Sequence, residues 1–261
     1  GVRPNTQLSQ GYYLDNSATS WYHSWQTTLK KRFSHNLNFA LRYTWGKQLS
    51  TDSGDIGAYY QNDANVRAQD FFNLRREWGP ADGDTTNYFS GDWVYQLPAL
   101  TSLHSSVLRQ ALGGWQISGI ISVASGQPIV ISEQTGENIS RPDYLSGNPI
   151  NSNYAQTLQY LNTAAFLAVP ISSVSSLPIR PGNLGRGVIR GPGFWNADLS
   201  LGKNFKIAEK VQLQVRMDAF NALNHTSMTS FASTDITNSS FGRFTNTRGA
   251  RVAQLNARLS F

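Results

Sequence analysis

The sequence predicts an all-β protein, an antiparallel up-and-down transmembrane β-barrel segment of seven or eight strands with long extracellular loops. Apolar and polar residues alternate with a period of two in seven segments, and the connections between these segments alternate in length. Charged residues make up 15% of the 261 residues and aromatic residues 12%. An average soluble domain has roughly 25% charged residues, so this chain is polar without being highly charged.

The first two strands are predicted near residues 21–30 and 36–45, with residues 32–35 as the short turn between them. Odd positions of the second segment hold Leu37, Phe39, Leu41, Tyr43 and Trp45, whereas its even positions are polar or small. Successive side chains of a strand point to opposite faces, so this segment has one apolar and one polar face.

Five further segments follow the same scheme. They lie near residues 89–97, 115–123, 195–201, 211–219 and 252–261, and a weaker pattern near residues 8–14 would supply an eighth strand. In each segment the odd positions are mainly apolar. The even positions carry charges, which we expect to face the lumen of a barrel: Lys30, Arg42, Asp92, Asp198, Arg216, Asp218 and Arg258.

The lengths of the connections favour a membrane barrel. Residues 48–86, 132–193 and 224–250 form long connections, residues 32–35 and 206–210 form short ones, and residues 98–113 form an intermediate one. Outer-membrane barrels have short periplasmic turns and long extracellular loops, whereas compact soluble domains rarely carry loops longer than about 15 residues. We therefore expect the odd-numbered face to contact lipid.

Aromatic residues support the same interpretation. Rings with a polar group prefer the boundary between bilayer and water, and five tryptophans fall on odd positions at or near predicted strand ends: Trp21, Trp45, Trp93, Trp115 and Trp195. Phe261 is in register with Leu255, Ala257 and Leu259. An alternating strand that ends on an aromatic residue resembles the assembly signal of bacterial outer-membrane barrels.

Several stretches resemble the C-terminal barrel of Oar-like TonB-dependent receptors. They include Leu112-Gly-Gly-Trp-Gln-Ile-Ser-Gly119, Ala124-Ser-Gly-Gln-Pro128, Tyr160-Leu-Asn-Thr-Ala-Ala-Phe166, Gly182-Asn-Leu-Gly-Arg-Gly-Val-Ile-Arg-Gly-Pro-Gly193, Phe220-Asn-Ala-Leu-Asn-His225 and Phe241-Gly-Arg-Phe244. The resemblance covers nearly the whole chain. It is specific through the combination of these stretches rather than through any one of them.

The resemblance implies a receptor barrel of about 22 strands that takes up or exports a large ligand across the bacterial outer membrane. Such a receptor has an N-terminal plug and a segment that contacts the TonB complex. We interpret residues 1–261 as a single β-barrel domain, the C-terminal portion of a larger receptor barrel, with the plug domain absent. The implied partners are outer-membrane lipid, the barrel-assembly machinery, the TonB complex through the missing plug, and an unknown ligand.

Searches for chemistry give little, so we expect neither an enzyme nor a cofactor. There is no Cys, and the four His lie in separate segments, which argues against a metal site. Residues 185–191 nearly match a dinucleotide-binding glycine pattern, but a strand follows where that mechanism needs a helix. Asp82-Gly-Asp84 lacks the distal ligands of a calcium loop, and we expect a solvated loop there. The dispersed basic residues argue against nucleic acid.

Two questions stay open at this level. The loop aromatics Tyr59, Tyr60, Trp78 and Tyr154 either contact a saccharide or peptide ligand or pack within the loops. The function has two alternatives: a passive small-barrel pore or structural outer-membrane protein, and a soluble all-β carbohydrate-binding or hydrolytic domain. The soluble domain would bury the odd-numbered face against a second sheet.

Overall fold

The computed structural model describes residues 17–51, 68–70, 73–98, 105, 108–109, 112–135, 138–174, 178–208 and 211–261. Seven long strands dominate this part of the chain. They are β1 (Ser20–Ser34), β2 (Leu37–Ser50), β3 (Asn87–Gln96), β4 (Trp115–Ala124), β5 (Phe194–Ala208), β6 (Val211–Phe220) and β7 (Val252–Ser260). Among the described residues, no helix is both long and apolar enough to cross a membrane.

The seven long strands form one antiparallel sheet in which each strand pairs with the next along the chain. This up-and-down order confirms the predicted fold class, and each long strand coincides with a predicted segment. Within the described residues no pairing joins β1 to β7, so the sheet has two edges there. The eighth strand predicted near residues 8–14 lies outside the described residues.

The register keeps odd-numbered residues together across the whole sheet. Trp25 lies opposite Trp45, Leu41 opposite Gly91, and Leu201 opposite Met217. Each of the other pairings between long strands also joins odd to odd positions. Directly opposed residues of two strands project from the same side of a sheet. The odd positions of all seven strands therefore share one face, as predicted.

No second sheet covers the apolar face within the described part of the chain, where the seven long strands contact one another. Large apolar side chains consequently remain exposed, among them Trp25 at 62% and Leu255 at 74%. The soluble sandwich alternative is therefore wrong, because it requires this face to be buried.

The turn between β1 and β2 differs from the prediction. It consists of His35 and Asn36, not residues 32–35, because β1 extends to Ser34. Both turn residues have positive φ angles, 52° and 63°, as a two-residue type I′ hairpin requires. Backbone pairing continues past the last alternating residues, so the strands are longer than the hydrophobic pattern alone indicates.

The three long connections fold into a layer at one end of the long strands. We call this the outer layer: the described residues of 68–86, 125–193 and 221–251. It contains two 3-10 turns (Leu74–Glu77 and Thr163–Ala165), one helical turn (Tyr154–Thr157) and short strands at Gly79–Pro80, Pro128–Ile129, Glu133–Thr135, Asn138–Ser140, Asp143–Tyr144, Phe166–Leu167, Ile189–Arg190, Met228–Phe231 and Phe244–Thr247.

The buried apolar cluster of the described residues lies in the outer layer rather than on the sheet. Phe231 stacks on Phe244 at 4.5 Å between ring centroids, and Phe166 meets Phe241 edge-on at 5.6 Å. Segments far apart in sequence share this core, which consists of Ile129, Ile131, Tyr160, Leu161, Ala165, Phe166, Leu184, Ile189, Phe231, Phe241 and Phe244. The long connections are thus a packed substructure with a core of their own.

The Phe241-Gly-Arg-Phe244 stretch makes some of the contacts that build this core. Gly242 has a φ of +67°, and a Cβ atom there would lie 2.4 Å from the Cβ of Leu161. Its carbonyl oxygen accepts hydrogen bonds from the amides of Tyr160 and Leu161 at 2.9 and 3.2 Å. Two of the stretches that carry the receptor resemblance therefore pack directly against each other.

A matched pair of glycines in the sheet gives a test of this packing. A Cβ on Gly119 would lie 2.4 Å from the Trp93 ring, whereas one on Gly202 meets nothing closer than 3.7 Å. Gly119→Ala should therefore destabilise the protein by about 1–3 kcal/mol through overpacking, and Gly202→Ala should have a much smaller effect. Urea denaturation of both variants measures the difference. Equal losses would contradict the described packing of Trp93.

Candidate functional site

The even-numbered face carries a row of paired charges. The Arg42 guanidinium contacts the Asp92 carboxylate at 2.5 Å on neighbouring strands. Arg216 and Asn256 donate hydrogen bonds to Asp218 at 3.0 and 3.1 Å. The row thus links side chains of β2 to β3 and of β6 to β7.

A cavity of about 330 Å³ opens on this face between the central strands. Asp92, Asp198 and Asp218 contribute to its lining. Asp198 accepts hydrogen bonds from the Asn196 amide and from the backbone amide of Asn221, both at 2.8 Å. Each of the three carboxylates accepts hydrogen bonds from neighbouring groups, an arrangement that suits a hydrated wall.

The remaining two predicted charges of this face lie on the edge strands. Lys30 of β1 is opposite Ala40, and Arg258 of β7 is opposite Gln214. All seven predicted lumenal charges therefore occupy even positions of one sheet. Among the described residues, no group of three His, Cys, Asp or Glu side chains could hold a metal ion.

Buried arginines hold the outer layer together, and Arg186 also joins it to the sheet at Ser50. The side chain of Arg186 is fully buried and donates hydrogen bonds to the backbone oxygen of Ser50 at 2.7 Å and to Asp82 at 3.3 Å. Arg141 contacts Glu77 at 2.5 Å and donates to the backbone oxygen of Leu184 at 3.0 Å. Both carboxylates are also buried.

Asp84 completes this set of contacts, which we call the arginine clamp: Arg141, Arg186 and Arg190 with Glu77, Asp82 and Asp84. Asp84 contacts both Arg190 and Lys47 and accepts a hydrogen bond from the backbone amide of Gln48 at 2.6 Å. Asp82 and Asp84 are buried, so the expectation of a solvated loop there is wrong. Arg186 contacts Asp82, and Arg190 and Lys47 contact Asp84.

A second ion pair lies nearer the surface of the outer layer. The Arg180 guanidinium donates hydrogen bonds to both carboxylate oxygens of Asp143, at 2.9 and 2.5 Å. This bidentate contact lowers the pKa of Asp143, and a hydrogen bond from the backbone amide of Asn183 acts in the same direction. Asp143 pairs with the strand that carries Phe166, so the ion pair adjoins the buried core.

The comparison with known proteins decides the family. A family model described as an outer membrane beta barrel domain matches residues 1–254. The chain belongs to this outer-membrane β-barrel family. Its location is accordingly the outer membrane, as predicted. No curated protein matches the sequence.

One solved structure provides a further comparison. It is the outer membrane transporter YddB from Escherichia coli, with 11% identity and a TM-score of 0.49. The match covers 93% of this chain and 25% of that transporter's chain. The chain therefore spans about a quarter of the length of that transporter.

In an outer-membrane barrel the apolar face contacts lipid and the polar face lines the interior. The odd-numbered face is then lipid-facing. Trp21, Trp115 and Trp195 lie within two residues of a strand end, as a girdle requires. Trp45 lies five residues inside β2 because that strand extends past its predicted end at residue 45, and Trp93 lies three residues inside β3. The placement of these two at strand ends is therefore a correction to the prediction.

One lysine that the sequence pattern did not predict lies on the lipid-facing side, toward the short-turn ends of the strands. The Lys203 ammonium lies 4.5 Å from the centre of the Trp115 ring and 5.1 Å from that of Phe205. It also donates a hydrogen bond to the backbone oxygen of Gly113 at 3.2 Å. Lys203 is buried, so two rings and a carbonyl compensate a charge on the apolar face.

The residues of the predicted assembly signal are exposed at β7. Leu255, Ala257 and Leu259 lie opposite Met217, Val215 and Leu213 of β6, and Phe261 follows the end of β7. Leu255, Leu259 and Phe261 are exposed. Recognition of this strand by the assembly machinery stays a prediction.

The loop aromatics have different surroundings. Tyr154 packs edge-on against Tyr160 at 4.9 Å between ring centroids and so adjoins the buried core. Trp78 is partly exposed and meets Trp21 edge-on at 5.7 Å. Tyr59 and Tyr60 lie outside the described residues. Trp78 is therefore the predicted ligand-contact residue with the most accessible ring among those described.

The face assignment predicts that a charge at two nearby positions of β2, on opposite faces, has very different effects on stability. Leu41→Arg places a charge on the lipid-facing side and should reduce stability in a bilayer by about 2–4 kcal/mol near the midplane. Asn38→Arg places the same charge on the lumen-facing side and should have little effect. Urea titration of folding into lipid vesicles measures both. Equal losses, or a larger loss for Asn38→Arg, would show that the faces are reversed.

Removing one member of the arginine clamp should loosen the outer layer. Arg186→Met leaves buried carboxylate charge without its guanidinium, which costs about 3–5 kcal/mol for a buried pair. Amide hydrogen exchange in residues 182–190 should therefore accelerate strongly. Arg180→Met removes an exposed guanidinium and serves as the control, with a much smaller expected effect. Similar exchange in the two variants would mean that the clamp does not hold the layer.

The Asp143–Arg180 pair makes the outer layer sensitive to acid. The pKa of Asp143 in the folded state is lower than the unfolded value of about 3.9. The pair therefore stabilises the folded state above that pH, and this stabilisation is lost as the pH falls through the folded-state pKa. Exchange of the amides of residues 143–145, corrected for intrinsic rates, should rise below about pH 4. Asp143→Asn should remove this dependence; if it persists, another group is responsible.

Proposed function

We propose that this barrel domain is part of a TonB-dependent, Oar-like outer-membrane receptor that takes up or exports a large ligand through its barrel. In this proposal the domain supplies part of the barrel wall and the outer layer that first meets the ligand. It has no catalytic role and needs no cofactor. Energy reaches the receptor from the TonB complex through a plug domain.

The observation that carries the proposal is that, within the described residues, the sheet ends on two edge strands, β1 and β7, that do not pair with each other. The side chains of β1 and β7 are exposed along almost their entire length on both faces, and β1 spans 15 residues. Unpaired backbone groups in lipid are costly, so sheets that span a membrane must close. Strands from a larger barrel would supply the missing partners on both sides.

The outer layer supports a receptor rather than a simple wall. It combines a buried aromatic core with the arginine clamp, which gives it a defined surface without a ligand. The stretches that resemble Oar-like receptors at residues 160–166, 182–193 and 241–244 contribute to this core or to the clamp. A saccharide or peptide is the ligand class that belongs to this proposal.

The lumen-facing row suits passage of a polar ligand. It carries charges of both signs, with Arg42 paired to Asp92 on the neighbouring strand and Arg216 paired to Asp218 within β6, so the wall is hydrated without a strong field of one sign. The alternating residues of β7 would be read by the barrel-assembly machinery during insertion. The barrel-assembly machinery and transport through the barrel are both part of the proposal. Either uptake or export is compatible with it.

Cross-linking tests whether the sheet closes on itself. Thr27→Cys on β1 is combined in turn with Ala253→Cys and Ala257→Cys on β7, all on the lipid-facing side. In a larger barrel these strands are separated, so no β1–β7 disulfide should form. Gln26→Cys with Thr44→Cys is the positive control, because these residues lie directly opposite each other on β1 and β2.

A rapid β1–β7 disulfide would instead support the passive small-barrel alternative. The oxidised protein is run unboiled and boiled on a gel, so that the bond is scored in the folded state. Efficient cross-linking of the control with none between β1 and β7 is the result that the receptor proposal requires.

A further inference from the structure

We propose that the lipid-facing surface at the long-loop end of β1 and β2 binds a phosphorylated lipid headgroup of the outer leaflet. His23 and Lys47 would contact the phosphate, with Trp21 and Trp78 beside them at the boundary of the bilayer and Trp25 and Trp45 deeper along the strands. We call this surface the basic–aromatic patch: Trp21, His23, Trp25, Trp45, Lys47 and Trp78.

The strand register builds the patch. His23 lies directly opposite Lys47, between the pair Trp21 and Leu49 on one side and the pair Trp25 and Trp45 on the other. The six residues of these three pairs are odd-numbered and therefore project from the lipid-facing side, and Trp78 joins them from the outer layer through its contact with Trp21. Two basic side chains thus lie between rows of aromatic and apolar residues on the membrane-facing surface.

The depth of the patch follows from its chemistry. A charged side chain on the lipid-facing side of a barrel is strongly unfavourable at the bilayer midplane and nearly neutral at the interface. Tryptophan side chains prefer the same interface. Lys47 lies three residues before the end of β2, next to the outer layer. His23 and Lys47 are therefore at the depth where lipid phosphates lie.

The local charge balance favours an anion. Lys47 lies 3.3 Å from Asp84, and the same carboxylate oxygen also contacts Arg190. These three groups together carry one net positive charge. The Lys47 side chain is 35% exposed, and an ammonium group has three donors, of which Asp84 uses one. Donors remain on Lys47 for a phosphate oxygen.

The opposite end of the same face shows a different arrangement. Lys203 is also odd-numbered, but it is buried against Trp115 and Phe205 and bonded to the backbone of Gly113. Its charge is compensated inside the protein. The sheet thus offers an exposed lysine with a neighbouring imidazole at the long-loop end and an enclosed lysine at the short-turn end.

The outer layer extends the patch beyond the strands. Trp78 is partly exposed and contacts Trp21 edge-on. It follows the 3-10 turn that contains Arg75, whose side chain is exposed. A lipid is the favoured source of the phosphate because the surrounding rings face the membrane.

Lipid retention tests the proposal. The purified protein is placed in dodecyl maltoside micelles that contain either phosphatidic acid or phosphatidylcholine, and native mass spectrometry counts the retained lipids. We expect selective retention of phosphatidic acid. Lys47→Gln should weaken this retention roughly five-fold, the effect expected of one basic residue at a membrane surface, and His23→Gln should weaken it further.

Matched variants keep the test independent of folding. Lys30→Gln removes a charge from the lumen-facing side of β1 and should leave retention unchanged, and Lys47→Arg should preserve it. A mobility difference between unboiled and boiled samples confirms that each variant is folded. Equal retention of both lipids, or equal loss in Lys30→Gln and Lys47→Gln, would overturn the proposal.

The last part of the test is competition by free phosphate. If millimolar inorganic phosphate displaces the lipid, the surface is a general anion site and the assignment to a lipid headgroup is wrong. The proposal uses the lipid-facing assignment of the odd positions and the outward orientation of the long loops, not the transport function. A β1–β7 disulfide would therefore contradict the receptor proposal and leave the lipid result intact.

Discussion

Strand register is the constraint on which the rest of this molecule depends. Six antiparallel pairings join the seven long strands, and each joins odd to odd positions except at the shifted pairs Ser34–Leu37 and Ala208–Val211 beside the turns. A slip of one residue in any pairing would turn the remaining strands over and mix lipid-facing with lumen-facing side chains. The type I′ turn at His35 and Asn36 helps to fix the first register. Because the register holds, one face can be apolar enough for lipid while the other carries paired charges.

The sheet and the outer layer meet different solvents, and this explains why they are stabilised differently. The sheet needs no apolar core, since lipid covers its odd face and paired charges keep its even face hydrated. The outer layer is exposed to water and must bury its own apolar side chains, which it does around Phe231 and Phe244. Arg186 joins the two parts through a buried hydrogen bond to the backbone oxygen of Ser50, and Asp84 of the outer layer contacts Lys47 and the backbone amide of Gln48 on β2. The position of the outer layer therefore depends on the rim of the sheet.

The sequence was sufficient for the sheet and insufficient for the outer layer, for a physical reason. Alternation is a local signal, so each long strand and its two faces could be predicted, with errors only at strand ends such as Ser50 and Ala208. The clamp joins Glu77 to Arg141 and Asp82 to Arg186, and no local pattern links residues so far apart in sequence. Lys203 was missed because the predicted strand near residues 195–201 ended before it, whereas β5 extends to Ala208. Only the arginines within the glycine-rich stretch 182–193 gave a local hint, since charged residues are unusual in such a tight segment.

Lipid exposure along β2 tests the central claim most directly. Single cysteines at residues 37–45 would carry a nitroxide spin label in the protein reconstituted into bilayers, and collision with oxygen and with a water-soluble nickel chelate would be compared at each position. Oxygen partitions into hydrocarbon and the chelate does not. We predict higher oxygen accessibility at the odd positions and higher chelate accessibility at the even ones, with a period of two. A constant ratio along the strand, or the opposite alternation, would contradict the assignment of the odd-numbered face to lipid.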